Sequence, residues 1–233
     1  MITLGIDLSS MPKGTAACSI EWSENRAVAE PPVEHCTDDV LNALIARAEV
    51  IGIDAPFGWP EPFVAAVADW TSDAWTEEAR NRFQFRQTDQ VVRKRIGRWP
   101  LSVSTDRIAL PAMRAMALLR RQGVTDRSGD GKFFEVYPAG SLFCWKLRCR
   151  GYKTVDEECL GFRQEILSEL CGKLPWLDVP ETYADSSDPL DALVASLTAR
   201  SAKQGLTFLP EPEQVDAARR EGWIHLPTDF PQV

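Results

Sequence analysis

Residues 50–56 read VIGIDAP, an apolar run of Val50, Ile51 and Ile53 around Gly52 that stops on a carboxylate at Asp54 and turns at Pro56. A strand with one face in water alternates apolar and polar residues. This one does not, so both its faces are expected to be covered, as in a parallel sheet flanked by helices. The pattern recurs: Ile2 to Asp7, ITLGID, is another apolar run meeting an acid, and FFEVYP at 133–138 sets Glu135 shortly before Pro138. Three strand-like segments therefore carry an acid near their ends.

Working outward, Thr15 to Trp22 reads as a second strand, reached through the turn signal Pro12-Lys13-Gly14. Arg26 to Glu34 reads as a third, with Pro31 and Pro32 suiting a sheet edge. Thr37 caps DDVLNALIARAE, whose Val40, Leu41, Leu44 and Ile45 recur at helical spacing and lead into the strand 50–54. Residues 57–105 break the rhythm; their Trp, Arg and Pro content predicts a helical insertion, since disordered chain rarely carries so many aromatics. Helices are then expected over Asp106 to Gln122, Gly161 to Gly172 and Pro189 to Lys203, with a strand over Lys132 to Tyr137. Three consecutive strands, then strands separated by helices and a closing helix, are the element order of an α/β ribonuclease H-like fold. The expectation is one domain over 1–233, a five-stranded mixed sheet flanked by helices, with the insertion after the fourth strand. An open sheet of this kind holds its site at the carboxyl ends of its parallel strands, where Asp7, Asp54 and Glu135 would lie.

A chain of 233 residues with 44% apolar content is long enough to bury a packed core. No segment is apolar over the length of a bilayer and no basic leader precedes an apolar stretch, so no membrane association is expected and a cytoplasmic location is. Six scattered cysteines without a CxxC pair and only two histidines argue against a zinc cage or disulfide framework, and predict free thiols. A net charge of -8 counts against a protein that coats nucleic acid. The charge is uneven, however. Between Arg80 and Arg98 seven cations face a single acid, Asp89, so a phosphate-bearing partner would meet the chain there, unless the run is simply a solvated helical face.

In SSDPLDALVASLTA, residues 186–199, Leu190, Leu193, Val194 and Leu197 form an apolar stripe, and Asp188 and Asp191 are neighbours on the first turn. With Asp7 and Asp54 they make the all-oxygen set that hard divalent cations require, and two such ions stabilise the attacking and leaving oxygens of a phosphodiester. The competing reading is structural. Asp188 before Pro189 suits an N-cap with Asp191 its capping-box partner, Asp54 suits a turn, and Glu135 suits an ion pair with an arginine of the insertion. Asp7 is hardest to explain that way, because an unpaired charge among Leu4, Ile6 and Leu8 is costly. A serine hydrolase triad finds no support in a chain with two histidines.

GIDLSS, VIGIDAPFGWP, FRQTD, FFEVYPAG, GYK, DPLDALVASLTA and EGWIHLP, in this order, resemble the domain-of-unknown-function family four-two-nine, predicted to be ribonuclease H-like nucleases. The resemblance runs from Ile2 to Pro227 and implies an acid site at Asp7, Asp54, Glu135 and Asp191, with metal (Mg or Mn) on Asp7, Asp54, Asp188 and Asp191. The expected activity is metal-dependent phosphodiester hydrolysis of DNA or RNA, with Arg86, Asp89, Arg93, Arg95 and Lys153 binding substrate. Two alternatives stay open: an enzyme acting on a small phosphorylated molecule or nucleotide, which the acidic balance favours, and a non-catalytic binding module of the same fold.

Overall fold

The structure, a computed structural model, describes residues 1–70, 75–129, 131–154 and 156–233; residues 71–74 of the expected insertion lie outside it. Strands β1 (Ile2–Asp7), β2 (Ala16–Trp22) and β3 (Ala27–Ala29) follow one another antiparallel, and β4 (Val33–Glu34) folds back onto the start of β2. Helix α1 (Asp38–Arg47) begins where Thr37 accepts a hydrogen bond from the Val40 amide, and leads into β5 (Val50–Asp54), parallel to β1. The insertion holds α2 (Glu61–Asp69), α3 (Glu77–Gln84) and α4 (Gln87–Ile96), and α5 (Ala109–Arg121) returns the chain to β6 (Phe133–Glu135), parallel to β5. Then follow α6 (Pro138–Cys144), α7 (Glu157–Lys173), β7 (Leu177–Asp178), α8 (Ser187–Lys203) and α9 (Val215–Glu221).

The mixed sheet has seven strands in the order β6-β5-β1-β2-β3-β7, with β4 beside β2, rather than the five expected. Pro31 and Pro32, which donate no backbone N–H, split the third segment so that its halves pair with opposite ends of β2. The short β7 then adds parallel to β3, so the third strand is not an edge. Helix starts differ too. Asp106 accepts from the Ser102 amide at 2.7 Å in a turn ahead of α5, while Asp156 caps α7 through the Cys159 amide, so that α7 starts at Glu157, four residues before the expected start.

The continuous apolar runs are explained by cover on both faces. On one side Leu4, Ile6, Ile51, Ile53 and Phe133 pack against Leu41 and Ile45 of α1 and Leu118 and Leu119 of α5. On the other lies α8, buried along nearly its whole length, with Ile166 and Leu170 of α7 in the same cluster as Ile20, Leu193 and Leu197. All six cysteines are free thiols. Among the described residues no helix is long and apolar enough to cross a membrane.

Candidate functional site

Two glycines set the site. Gly5 and Gly52 are register partners on β1 and β5, and the backbone of α8 lies directly on them: a Cβ at Gly5 would fall 1.9 Å from the Ala192 carbonyl oxygen, and one at Gly52 2.5 Å from that of Ala195. Ala192, Ala195 and Ala199 make that approach possible, and the Thr3 hydroxyl, 2.7 Å from that of Ser196, pegs the helix to β1. Side chains two residues apart on a strand share a face. Asp7 and Asp54, themselves register partners, therefore emerge on the α8 side just past the glycines, where Asp191 precedes Ala192.

Burial and neighbouring acids raise the pKa of Asp7 and of Asp54. Burial first, then Asp191 and Asp54, push the Asp7 carboxyl well above its usual range; Lys153 opposes the rise and Asp188 adds to it. Asp54 is pushed up to about 7 by burial, with Lys153 pulling it down and Asp191 and Glu135 adding to the rise. Asp191 is only 1% exposed and has both oxygens engaged. The Tyr152 hydroxyl donates to Oδ1 at 2.8 Å, and the Lys153 ammonium lies 2.6 Å from Oδ2. Burial works against the charge on Lys153, yet Asp191, Asp54 and Asp7 together hold its pKa above the usual lysine value. Asp188 is not the N-cap: α8 starts at Ser187, whose hydroxyl donates to Asp188 at 3.0 Å.

Glu135 does not join this group. It pairs in register with Ile53, not with Asp54, so its side chain leaves the opposite face of the sheet. There it meets Arg86 in a buried ion pair of 2.8 Å and accepts the Phe57 amide at 2.9 Å. Arg86 spends all five of its N–H donors on Glu135, Asp89 and the Glu221 carbonyl. Asp89 also accepts the Arg86 amide at 2.9 Å, closing the first turn of α4. Glu221 in turn accepts the amides of Glu61 and Gln87, so the cluster fastens α2, α4 and α9 to β6. Arg86 and Asp89, 2% and 0% exposed, are thus engaged with each other and with the fold rather than presented to solvent. Arg93 and Arg95 are exposed on α4, and the Arg95 guanidinium stacks 3.6 Å over Phe208 in a separate cleft. Lys153 is the member of the expected binding set that reaches the acids.

A cavity of about 470 Å³ opens beside Asp54 and is lined by Arg98, Leu101, Tyr137, Arg150 and Lys153 among others. The sequence reading passed over Arg98, Arg150, Tyr137 and Tyr152 as site residues. The signals were present for Arg98, in the basic run, and for Tyr137 and Tyr152, in the EVYP and GYK motifs; Arg150 offers none.

The family described as "Protein of unknown function (DUF429)" matches residues 5–215, and the chain belongs to it. No curated protein and no solved structure matches the chain.

Proposed function

We propose that this member of the DUF429 family has a ribonuclease H-like fold and acts as a metal-dependent phosphodiester hydrolase, a nuclease, through Asp7, Asp54 and Asp191. The observation that carries the reading is the register that sets Asp7 opposite Asp54 on adjacent parallel strands, with Asp191 acting on both from α8. The antiparallel order β1 to β3, followed by parallel β5 and β6, supports the fold assignment.

The donor set suits Mg or Mn: every ligand is a hard carboxylate oxygen. Burial first, and then neighbouring acids, raise the carboxyls of Asp7 and Asp54, so a cation would compete with protons for them. Among the described residues no three acids are gathered as ligands, and Tyr152 and Lys153 hold Asp191. Asp7 and Asp54 are thus the residues that would hold the ion, with Asp191 available once Lys153 releases it. A divalent cation supplies Lewis-acid polarisation of a phosphoryl oxygen and lowers the pKa of water. The protein's own part is positional. Tyr152 fixes the Asp191 carboxylate, and Lys153 balances the charge of the acids.

The second reading, a hydrolase of small phosphorylated molecules, is favoured by the size of the cavity and the net charge of -8. Calorimetric titration with Mn and cleavage of a labelled single-stranded oligonucleotide test the first. Both are expected for the wild type and lost in Asp7→Asn and Asp54→Asn. Undiminished Mn affinity in Asp7→Asn would sink the metal site, and cleavage confined to mononucleotide phosphates would select the second reading.

A further inference from the structure

Beside the acids, the cavity has features of a ligand site in its own right. We propose that it binds one nucleotide unit, with the phosphate on Arg98 and Arg150 and the flat base against Tyr137, Pro100 and Leu101. This deepens the hydrolase reading and rests on it only for where the reacting phosphate sits.

A volume of about 470 Å³ lies in the range of small-ligand sites and is far too small to admit a duplex. Its cations are available. Arg150 is exposed and has no partner among the described residues, and Arg98 makes one long hydrogen bond, 3.4 Å, to the Cys149 carbonyl. Arg86 on the same wall is the contrast, since all its donors are spent. Tyr137, on the same cavity, makes no hydrogen bond through its hydroxyl among the described residues and feels the charges of Arg98, Asp54 and Lys153, so it lies between the cations and the acids. The opposite character is present too: Leu101 is 62% exposed at the cavity, beside buried Pro100, an apolar wall that a stacked base would cover.

Charge decides where the phosphate goes. Asp54 lines the cavity, and a phosphate placed there is repelled by the acids unless cations grip it from the other side. Planar guanidinium groups do this with paired, charge-assisted hydrogen bonds. With -8 net charge on the chain, the rest of the surface adds little attraction for a polyanion, so recognition concentrates on this one unit.

Calorimetry in EDTA with uridine and adenosine 5′-monophosphates, the nucleosides, ribose 5-phosphate and a short single-stranded oligonucleotide tests the assignment. The monophosphates are expected to bind saturably, with nucleoside and sugar phosphate each weaker by about tenfold or more. Arg98→Ala/Arg150→Ala is expected to weaken the monophosphates about tenfold or more at an unchanged melting temperature. If the double variant melts early, Arg150→Glu at its exposed position carries the same test. An oligonucleotide that binds more tightly than the monophosphate identifies the unit as part of a strand; equal affinities identify a free nucleotide. No saturable binding, affinities untouched by the arginine variants, or ribose 5-phosphate bound as well as the nucleotide would overturn the proposal. Mn affinity measured in parallel separates the two readings, because its absence sinks the metal site while nucleotide binding in EDTA stands.

Discussion

Neutralising Asp54 is expected to stabilise the metal-free protein, and the size of the effect follows from the site. The Asp54 carboxyl is raised from 3.8 to about 7, by burial first, against the pull of Lys153 and with Asp191 and Glu135 adding. Because its folded pKa lies above its unfolded one, the folded chain is the better proton acceptor. Below about pH 4 both states are protonated and the group costs nothing. Between pH 4 and 7 the unfolded chain has lost the proton that the folded chain keeps, so stability falls as pH rises; above 7 the full cost is present. At ~1.4 kcal/mol for each pH unit of difference, that cost is bounded near 4 kcal/mol. Access of solvent through the cavity and the shared titration with Asp7 reduce it, so Asp54→Asn is expected to gain about 1 to 3 kcal/mol at pH 8 and almost nothing at pH 4. Urea unfolding of wild type and Asp54→Asn at pH 4, 6 and 8, in EDTA, measures the gain and its slope. Saturating Mn should cancel the difference by stabilising only the wild type, about 2.7 kcal/mol at a hundredfold excess over Kd. An asparagine variant less stable at pH 8, or a gain independent of pH, would refute the reasoning by showing that Asp54 is a satisfied structural carboxylate.

Glu135→Gln should behave in the opposite way, losing about 3 kcal/mol in the same urea assay, since it leaves the Arg86 charge buried with one carboxylate instead of two; a neutral effect would show that the ion pair is not holding the fold. Lys153→Met removes the ammonium that holds Asp191, so Mn affinity by calorimetry is expected to rise about tenfold, and an unchanged affinity would show that lysine and metal do not compete. Gly52→Ala forces a methyl into the Ala195 carbonyl and should cost about 3 kcal/mol by thermal unfolding while weakening Mn binding, because α8 and Asp191 must shift away from β5; wild-type stability would mean that the helix does not sit on the glycine.

Much of the site is legible because an aspartate in an apolar strand is expensive. Asp7 among Leu4, Ile6 and Leu8 had few structural uses, and the apolar continuity of 50–54 announced a strand covered on both faces. The period of two then puts Asp7 and Asp54 on one face once they are paired. Glu135 escapes the same logic for a reason local sequence does not contain. Register between β5 and β6 aligns it with Ile53, one residue short of Asp54, and a one-residue offset sends a side chain to the other face. The basic run is legible only in part. Its charge count is real, but the count says nothing of which arginines are consumed by buried acids; Arg86 is consumed entirely, Arg95 lies on Phe208, and Arg98, undistinguished in the run, reaches the cavity. The extra strands were missed because β4 and β7 are two residues long and exist only through their partners.

The buried ion pair and the acid site are linked through the insertion. Glu135 holds the Phe57 amide, at the point where the insertion leaves the sheet, and Arg86 at the start of α4; Glu221 holds the amides that open α2 and α4. The wall carrying Arg98, Pro100 and Leu101 follows α4 directly, so its position over Asp54 depends on this clamp. An apolar cluster of similar volume could stabilise the core as well, but it has no directional contacts with which to hold two helix starts and a strand end at once. Charge is thus used twice at one sheet edge, for opposite ends. On the Glu135 face it is fully paired and fixes the geometry; on the Asp54 face three acids share the Lys153 ammonium, and burial together with that crowding raises the pKa of Asp7 and Asp54.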